Sequence, residues 1–127
     1  MTQGRDRFAG ELRELGLNPE FPENSTDLLY FSWLIENGPR SGETVDLGLQ
    51  VPVNFPIESP HGPYYRPQIM QGRGMQGVHE NQAFGPGWDH WSRPHPAWEK
   101  TDGSVKAYLR HLRTLNEELP APLAHAA

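Results

Sequence analysis

The apolar residues nearest the N-terminus recur at helical spacing. Phe8, Leu12 and Leu15 are separated by four and three residues, and charged residues fill most of the positions between them. Such a pattern is typical of an amphipathic helix that buries one face. It predicts a helix over residues 5–17, with Gly16 near its end. A connector containing two prolines follows, and proline does not continue a helix.

The next apolar residues predict a pair of strands. Residues 26–36 are almost continuously aromatic or aliphatic, which predicts a strand covered on both faces and central in its sheet. Residues 37–42 have the composition of a turn. Residues 44–51 then alternate, which predicts a second, antiparallel strand with one wetter face. Its apolar positions are Val45, Leu47, Leu49 and Val51.

A proline-rich segment, residues 48–67, leads out of this hairpin; we call it the strap. Its five prolines lie at positions 52, 56, 60, 63 and 67, where each fixes its own φ and biases the preceding residue toward extended geometry. Tyr64 and Tyr65 predict a short third strand near its end. Residues 68–87 are glycine-rich and show no period, so they predict a long loop.

The clearest helix follows an aromatic stretch at residues 88–98. Apolar residues recur at three- and four-residue spacing, and Asp102 or Ser104 is the predicted N-cap. Residues 1–118 are therefore predicted to form one domain, and residues 119–127 a frayed tail. The apolar positions of this last helix are Val105, Tyr108, Leu109, Leu112 and Leu115.

Composition limits the classes of function. The 127 residues carry a formal charge of -5, which argues against binding to nucleic acid or to an anionic membrane. No apolar run is long enough for a membrane span, and a cytoplasmic location is expected. The chain has no cysteine, which excludes disulfides, thiolate metal sites and thiol nucleophiles. No cofactor is predicted.

The order of these elements resembles the ubiquitin-conjugating enzyme fold, which is shared with RWD domains. Residues 53–60, Val-Asn-Phe-Pro-Ile-Glu-Ser-Pro, look like the proline segment that leaves the sheet in that family. Residues 88–98, with their three tryptophans before a C-terminal helix, are similar to the prokaryotic branch. The resemblance implies an α+β fold with an N-terminal helix, an antiparallel β-meander of three to four strands, a long loop and a C-terminal helix.

The same resemblance implies partners and exposes one departure. Its expected partners are a ubiquitin-like protein, its activating enzyme, or both, bound through the first helix and the exposed sheet face. Conjugating enzymes carry the ubiquitin-like protein as a thioester on a cysteine that would fall within residues 68–87. This chain has no cysteine, and that loop also lacks serine, threonine and lysine. A thioester carrier is therefore excluded.

Three hypotheses follow from this departure. The first is a non-catalytic or unconventional partner in a bacterial ubiquitin-like modification system. The second is an enzyme that uses His79, helped by Glu80 or His95, for acyl transfer or hydrolysis, since imidazole titrates near neutral pH and can accept an acyl group. The third is an RWD-like interaction module outside such a pathway. For His79 the alternative is an ordinary polar loop residue.

The aromatic stretch holds further candidates. His90 and His95 are zinc-ligand types, but their spacing fits no recognised motif, so no metal site is predicted. The three tryptophans of the stretch are either an exposed docking patch or, as we expect for at least two of them, core residues under the last helix. Ser92 beside these histidines invites a hydrolase interpretation, yet no nucleophile elbow surrounds it. Arg73 lacks the neighbours of a phosphate-binding loop.

Overall fold

The computed structural model describes residues 3–70, 72–79 and 83–122, which form two α-helices and one antiparallel sheet of five strands. This arrangement confirms the α+β class, the N-terminal helix and the C-terminal helix. The strands follow the spatial order β1-β2-β3-β5-β4. Only the first three form a meander, so the expected meander of three to four strands is corrected to a five-stranded sheet.

The first helix, α1, spans Gly4–Glu14 and confirms the predicted amphipathic helix. Phe8 and Leu12 are buried on its inner face, whereas Leu15 follows the helix and is 46% exposed. The helix ends because Gly16 adopts a φ of +84°, a conformation that glycine tolerates without steric cost. The amide of Leu17 then bonds back to the carbonyl of Leu12 at 3.0 Å.

Strands β1, Leu28–Leu34, and β2, Thr44–Gln50, form the predicted antiparallel hairpin. The expectation that β1 is central was wrong, because β1 lies at one edge of the sheet. Among the described residues, its outer edge pairs with Glu20 alone, in a bridge to Tyr30. On its outer face the ring of Trp88 covers Tyr30, but Leu34 is 51% exposed, so β1 is covered on both faces over only part of its length.

Strand β3, His61–Arg66, confirms the predicted third strand and extends it. Its pairing with β2 is irregular: Gly48 opposes Tyr64, but Gln50 opposes His61, so β3 holds one extra residue. Gly62, at a φ of +135°, and Pro63 lie in this bulge. A bulge accommodates proline because the missing N–H interrupts no regular ladder bond.

Strands β4, Val78–His79, and β5, Asp89–Trp91, were not predicted. The stretch 68–87 was expected to be loop throughout, but β4 lies within it and pairs antiparallel with β5. The later strand, β5, pairs in turn with β3, which places β4 at the second edge of the sheet. Two and three residues are too few to display a recognisable alternation.

The second helix, α2, spans Val105–Asn116 and packs with α1 on the inner face of the sheet. The ring of Phe8 contacts Tyr108 edge-on at 6.0 Å. Ser104 is the N-cap, because its hydroxyl accepts the amide of Ala107. The inner-face residues in this core are Leu29, Phe31, Trp33, Val45, Leu47, Leu49, Val51, Tyr65 and Trp91.

The chain beyond α2 stays packed against the domain past the predicted boundary at residue 118. Leu119 is 2% exposed, and the carbonyl of Pro120 accepts a hydrogen bond from Nε of Arg40 at 2.7 Å. The rest of the predicted tail, residues 123–127, lies outside the described residues. Among the helices of the described ranges, none has the length and apolarity to cross a membrane.

Candidate functional site

The outer face of the sheet carries one row of side chains that runs across all five strands. In register, Tyr30 of β1 opposes Gly48, Gly48 opposes Tyr64, Tyr64 opposes His90, and His90 opposes His79 of β4. Because side chains alternate between faces, these five positions share the face away from the helices. Strand pairing therefore gathers two tyrosines and two histidines that are far apart in sequence.

An open groove of about 490 Å³ lies beside this row, at Tyr64 and His90. Two charged side chains, those of Asp27 and the half-buried Arg93, line its wall together with neutral hydrogen-bonding groups. The carboxylate of Asp27 accepts a hydrogen bond from the Gln50 amide at 2.8 Å, and Arg93 forms an ion pair with Glu118 at 3.2 Å. The groove is lined by Asp27, Gln50, Pro52, His61, Gly62, Tyr64, His90, Ser92, Arg93 and Pro94.

His90 is the histidine set into the groove wall. Its ring stacks on that of Tyr64, with centroids 4.2 Å apart and planes only 8° from parallel. Burial lowers the pKa of His90 below its usual 6.5, and the nearby imidazoles of His79 and His61 lower this pKa further. At neutral pH the His90 imidazole is therefore uncharged and keeps a lone pair available to accept a proton or bind a metal.

The other end of the row is covered by aromatic rings from the loop before β5. The ring of Phe84 lies 4.8 Å from Tyr64 and 4.6 Å from Trp88, centroid to centroid. The guanidinium of Arg66 lies 4.7 Å from the Trp88 ring and 5.3 Å from the Tyr30 ring, and it also pairs with a carboxylate of β2. The outer face is thus polar around the groove at His61 and His90 and aromatic around Phe84, which lies outside the groove lining.

Two of the three predicted catalytic residues, His79 and His95, lie in separate parts of the structure. His79 is exposed in β4, and its ring lies 5.8 Å from that of His90. His95 belongs to another cluster. The centroid of its ring lies 5.6 Å from that of Trp98 and 4.7 Å from that of His111. Its Nδ1 accepts the amide of Ala97. Glu80 lies outside the described residues.

The prediction that at least two of the three tryptophans are core residues is confirmed. Trp91 and Trp98 are buried in the main hydrophobic cluster, and Trp98 contacts Tyr108 of α2. Its indole N–H donates to the carbonyl of Pro56 at 2.8 Å, which ties the strap to the segment before α2. Trp88 is also buried, but on the outer face beneath Phe84. The alternative of an exposed tryptophan patch is therefore wrong.

The remaining candidates are Ser92 as a nucleophile and His90 with His95 as metal ligands. Ser92 is exposed beside the groove, and its amide bonds to the carbonyl of Gly77. The described ranges hold no group of three His, Cys, Asp or Glu side chains that could enclose a metal ion. His90 and His95, paired in sequence as zinc-ligand types, lie in separate clusters.

Sequence analysis did not single out His61, Tyr64, Asp27 or Gln50 as groove residues. The alternation of β2 placed Gln50 on the wetter face, which was the one available signal. His61 and Tyr64 are three positions apart, whereas their register partners Gln50 and Gly48 are two apart. The extra residue in the bulge at Gly62 and Pro63 therefore lets both side chains line the groove. Such a shift in side-chain direction has no signature in the hydrophobic pattern.

Comparisons with protein-family models, with curated proteins and with solved structures found no match to this chain. The resemblance to conjugating enzymes accordingly rests on the order of elements and on the two sequence segments described above.

Proposed function

We propose that this chain is a cysteine-less protein of the ubiquitin-conjugating type that acts in a bacterial ubiquitin-like modification system. In this role it binds a ubiquitin-like protein or its activating enzyme and forms no thioester, because it contains no cysteine. The helix, sheet, proline strap and C-terminal helix support the fold part of this proposal.

The exposed apolar residues of the strap support a role in binding a protein partner. Two large apolar side chains of the strap, Val53 and Ile57, are 82% and 77% exposed. Exposed aliphatic side chains on a proline-stiffened segment offer contact area at small entropic cost, since the backbone around them is already restricted.

The strap lies in contact with the start of α1. The amide of Gly4 donates to the carbonyl of Phe55 at 2.9 Å, and a Cβ at Gly4 would lie 3.1 Å from the carbonyl oxygen of Val53. A recess beside this junction is lined by both segments, including Arg5, Asp6 and Val53. The first helix and the strap therefore offer one surface with apolar and charged groups, as a protein partner requires.

A pull-down tests the proposal directly. Purified chain would be mixed with the ubiquitin-like protein and the activating enzyme encoded nearest to its gene, and complexes measured with and without ATP. The Val53→Ser/Ile57→Ser variant is expected to lose most of the binding while keeping its stability, because both side chains are exposed. Leu34→Ser, which alters a 51% exposed residue of β1, is the matched control.

Two results would contradict this proposal. One is the absence of any complex with either protein, which would favour an interaction module outside such a pathway. The other is full binding by the strap variant together with loss in the Leu34 control, which would move the surface to the sheet edge.

A second candidate is an enzyme that transfers or hydrolyses acyl groups through His79. The contact between His79 and His90 favours it, because a neutral neighbouring imidazole can accept the proton that a reacting histidine releases. Intact-mass measurement after incubation with an activated ubiquitin-like protein distinguishes the candidates. A covalent adduct that His79→Ala abolishes would support this enzyme, and an unmodified chain would exclude it.

A further inference from the structure

The histidines of the β4–β5 hairpin form a direct cross-strand pair. His79 and His90 are register partners on adjacent antiparallel strands, and their ring centroids lie 5.8 Å apart with planes inclined at 53°. Directly opposed residues of an antiparallel pair have Cβ atoms about 4.5–5.5 Å apart. Two imidazoles held in this way can reach one common atom between them.

The separation of the two rings suits a shared metal ion. A zinc–nitrogen bond of about 2.0–2.1 Å puts each imidazole centroid roughly 3.2 Å from the metal, so two rings at a tetrahedral angle are about 5 Å apart. Closing the observed gap requires a movement of less than about 1 Å. His79 can supply it by rotating, because its side chain is exposed.

Both imidazoles also have nitrogens free to coordinate. Within the described ranges, neither His79 nor His90 uses a ring nitrogen in a hydrogen bond. The second histidine pair of the chain differs: Nδ1 of His95 accepts the Ala97 amide, and Nε2 of His111 bonds to the carbonyl of Arg93. Coordination through those nitrogens would break existing bonds. The β4–β5 pair is therefore the better metal ligand.

We propose that His79 and His90 bind one divalent late transition-metal ion of the zinc class, with solvent completing its coordination. Imidazole is a preferred ligand of these metals, whereas magnesium and calcium prefer oxygen. The bound ion would join β4 to β5 across the sheet edge. This matters for the fold because β4 has only two residues and pairs on one side alone.

Titration calorimetry with zinc chloride tests the site on tag-free full-length protein, in a buffer that does not chelate zinc. One equivalent is expected to bind at pH 7.5. His79→Ala and His90→Ala are each expected to weaken binding by at least about tenfold, because one of two protein ligands is lost. His95→Ala, in the other cluster, is the matched control and should bind zinc as the unaltered chain does.

Two further measurements separate ligation from folding. His79→Cys is expected to restore binding, because thiolate is a zinc ligand, and this exposed position tolerates the change. Zinc is also expected to raise the thermal midpoint of the unaltered chain but not that of His79→Ala, since a ligand that binds the folded state stabilises it. Unchanged affinity in His79→Ala, loss of binding in His95→Ala, or no binding at millimolar zinc would each overturn the proposal.

Discussion

The ring of Phe84 lies directly against the backbone of Gly48, so that a Cβ on Gly48 would sit 2.7 Å from Cζ of Phe84. Gly48 is in the middle of β2, where a side chain would otherwise stabilise the strand. The glycine leaves room for a loop residue to cover the outer face. Gly48 of β2 and the Phe84 ring from the loop before β5 therefore fit together, although the two residues are far apart in the sequence.

Gly48→Ala is expected to lower the free energy of unfolding by about 1 kcal/mol, because the new methyl group displaces the Phe84 ring from Tyr64 and Trp88. Urea unfolding followed by tryptophan fluorescence measures the change. In a Phe84→Ala background the same substitution should be neutral or stabilising, since alanine suits a strand better than glycine does. An equal destabilisation in both backgrounds would contradict the proposed contact.

Asp89→Ala is expected to lower the free energy of unfolding by about 1–3 kcal/mol. Asp89 is 1% exposed, and its Oδ2 accepts the buried amide of Met70 at 2.6 Å. Removing the carboxylate leaves that amide without its acceptor at the point where the chain leaves the strap. Asp6→Ala, at an exposed position of α1, should change stability by less than about 0.5 kcal/mol in the same chemical-unfolding experiment. Similar effects at the two positions would contradict this role.

Ser104→Ala is expected to cost about 1 kcal/mol, the usual effect of losing an N-cap acceptor. The Ser104 hydroxyl accepts the Ala107 amide at 3.1 Å, while Oε1 of Glu11 accepts the Val105 amide from the first helix. Thermal unfolding followed by circular dichroism measures the loss. Ser92→Ala removes an exposed hydroxyl and is the matched control. Equal midpoints for Ser104→Ala and the unaltered chain would show that Glu11 alone caps the helix.

Stability is expected to fall as pH is lowered below about 6.5. Burial is the largest cause that lowers the pKa of His90, His95 and His111 from 6.5. The unfolded chain therefore binds protons more readily than the folded chain in the window just below 6.5, which favours unfolding there. Urea midpoints between about pH 7.5 and 5.5 measure the slope. His111→Gln should reduce it, and a slope that this variant leaves unchanged would contradict the role of His111.

The sequence by itself determined the parts of the fold that depend on local periodicity. The two helices repeat apolar residues over three turns or more, and β2 alternates over seven residues, so each pattern is long enough to identify its element. The absence of cysteine likewise excludes a thioester without any structure. These conclusions required no knowledge of which segments meet.

Only the tertiary structure decided which strands are neighbours and what the outer face contains. β4 and β5 are too short to show a period, and pairing β5 with β3 depends on contacts distant in sequence. The pairing of β4 with β5 sets His79 beside His90, whereas His95 lies in another cluster beside His111. His79 and His90 could each be named from the sequence. That they face each other depends on the register of β4 and β5, which local patterns do not encode for strands this short.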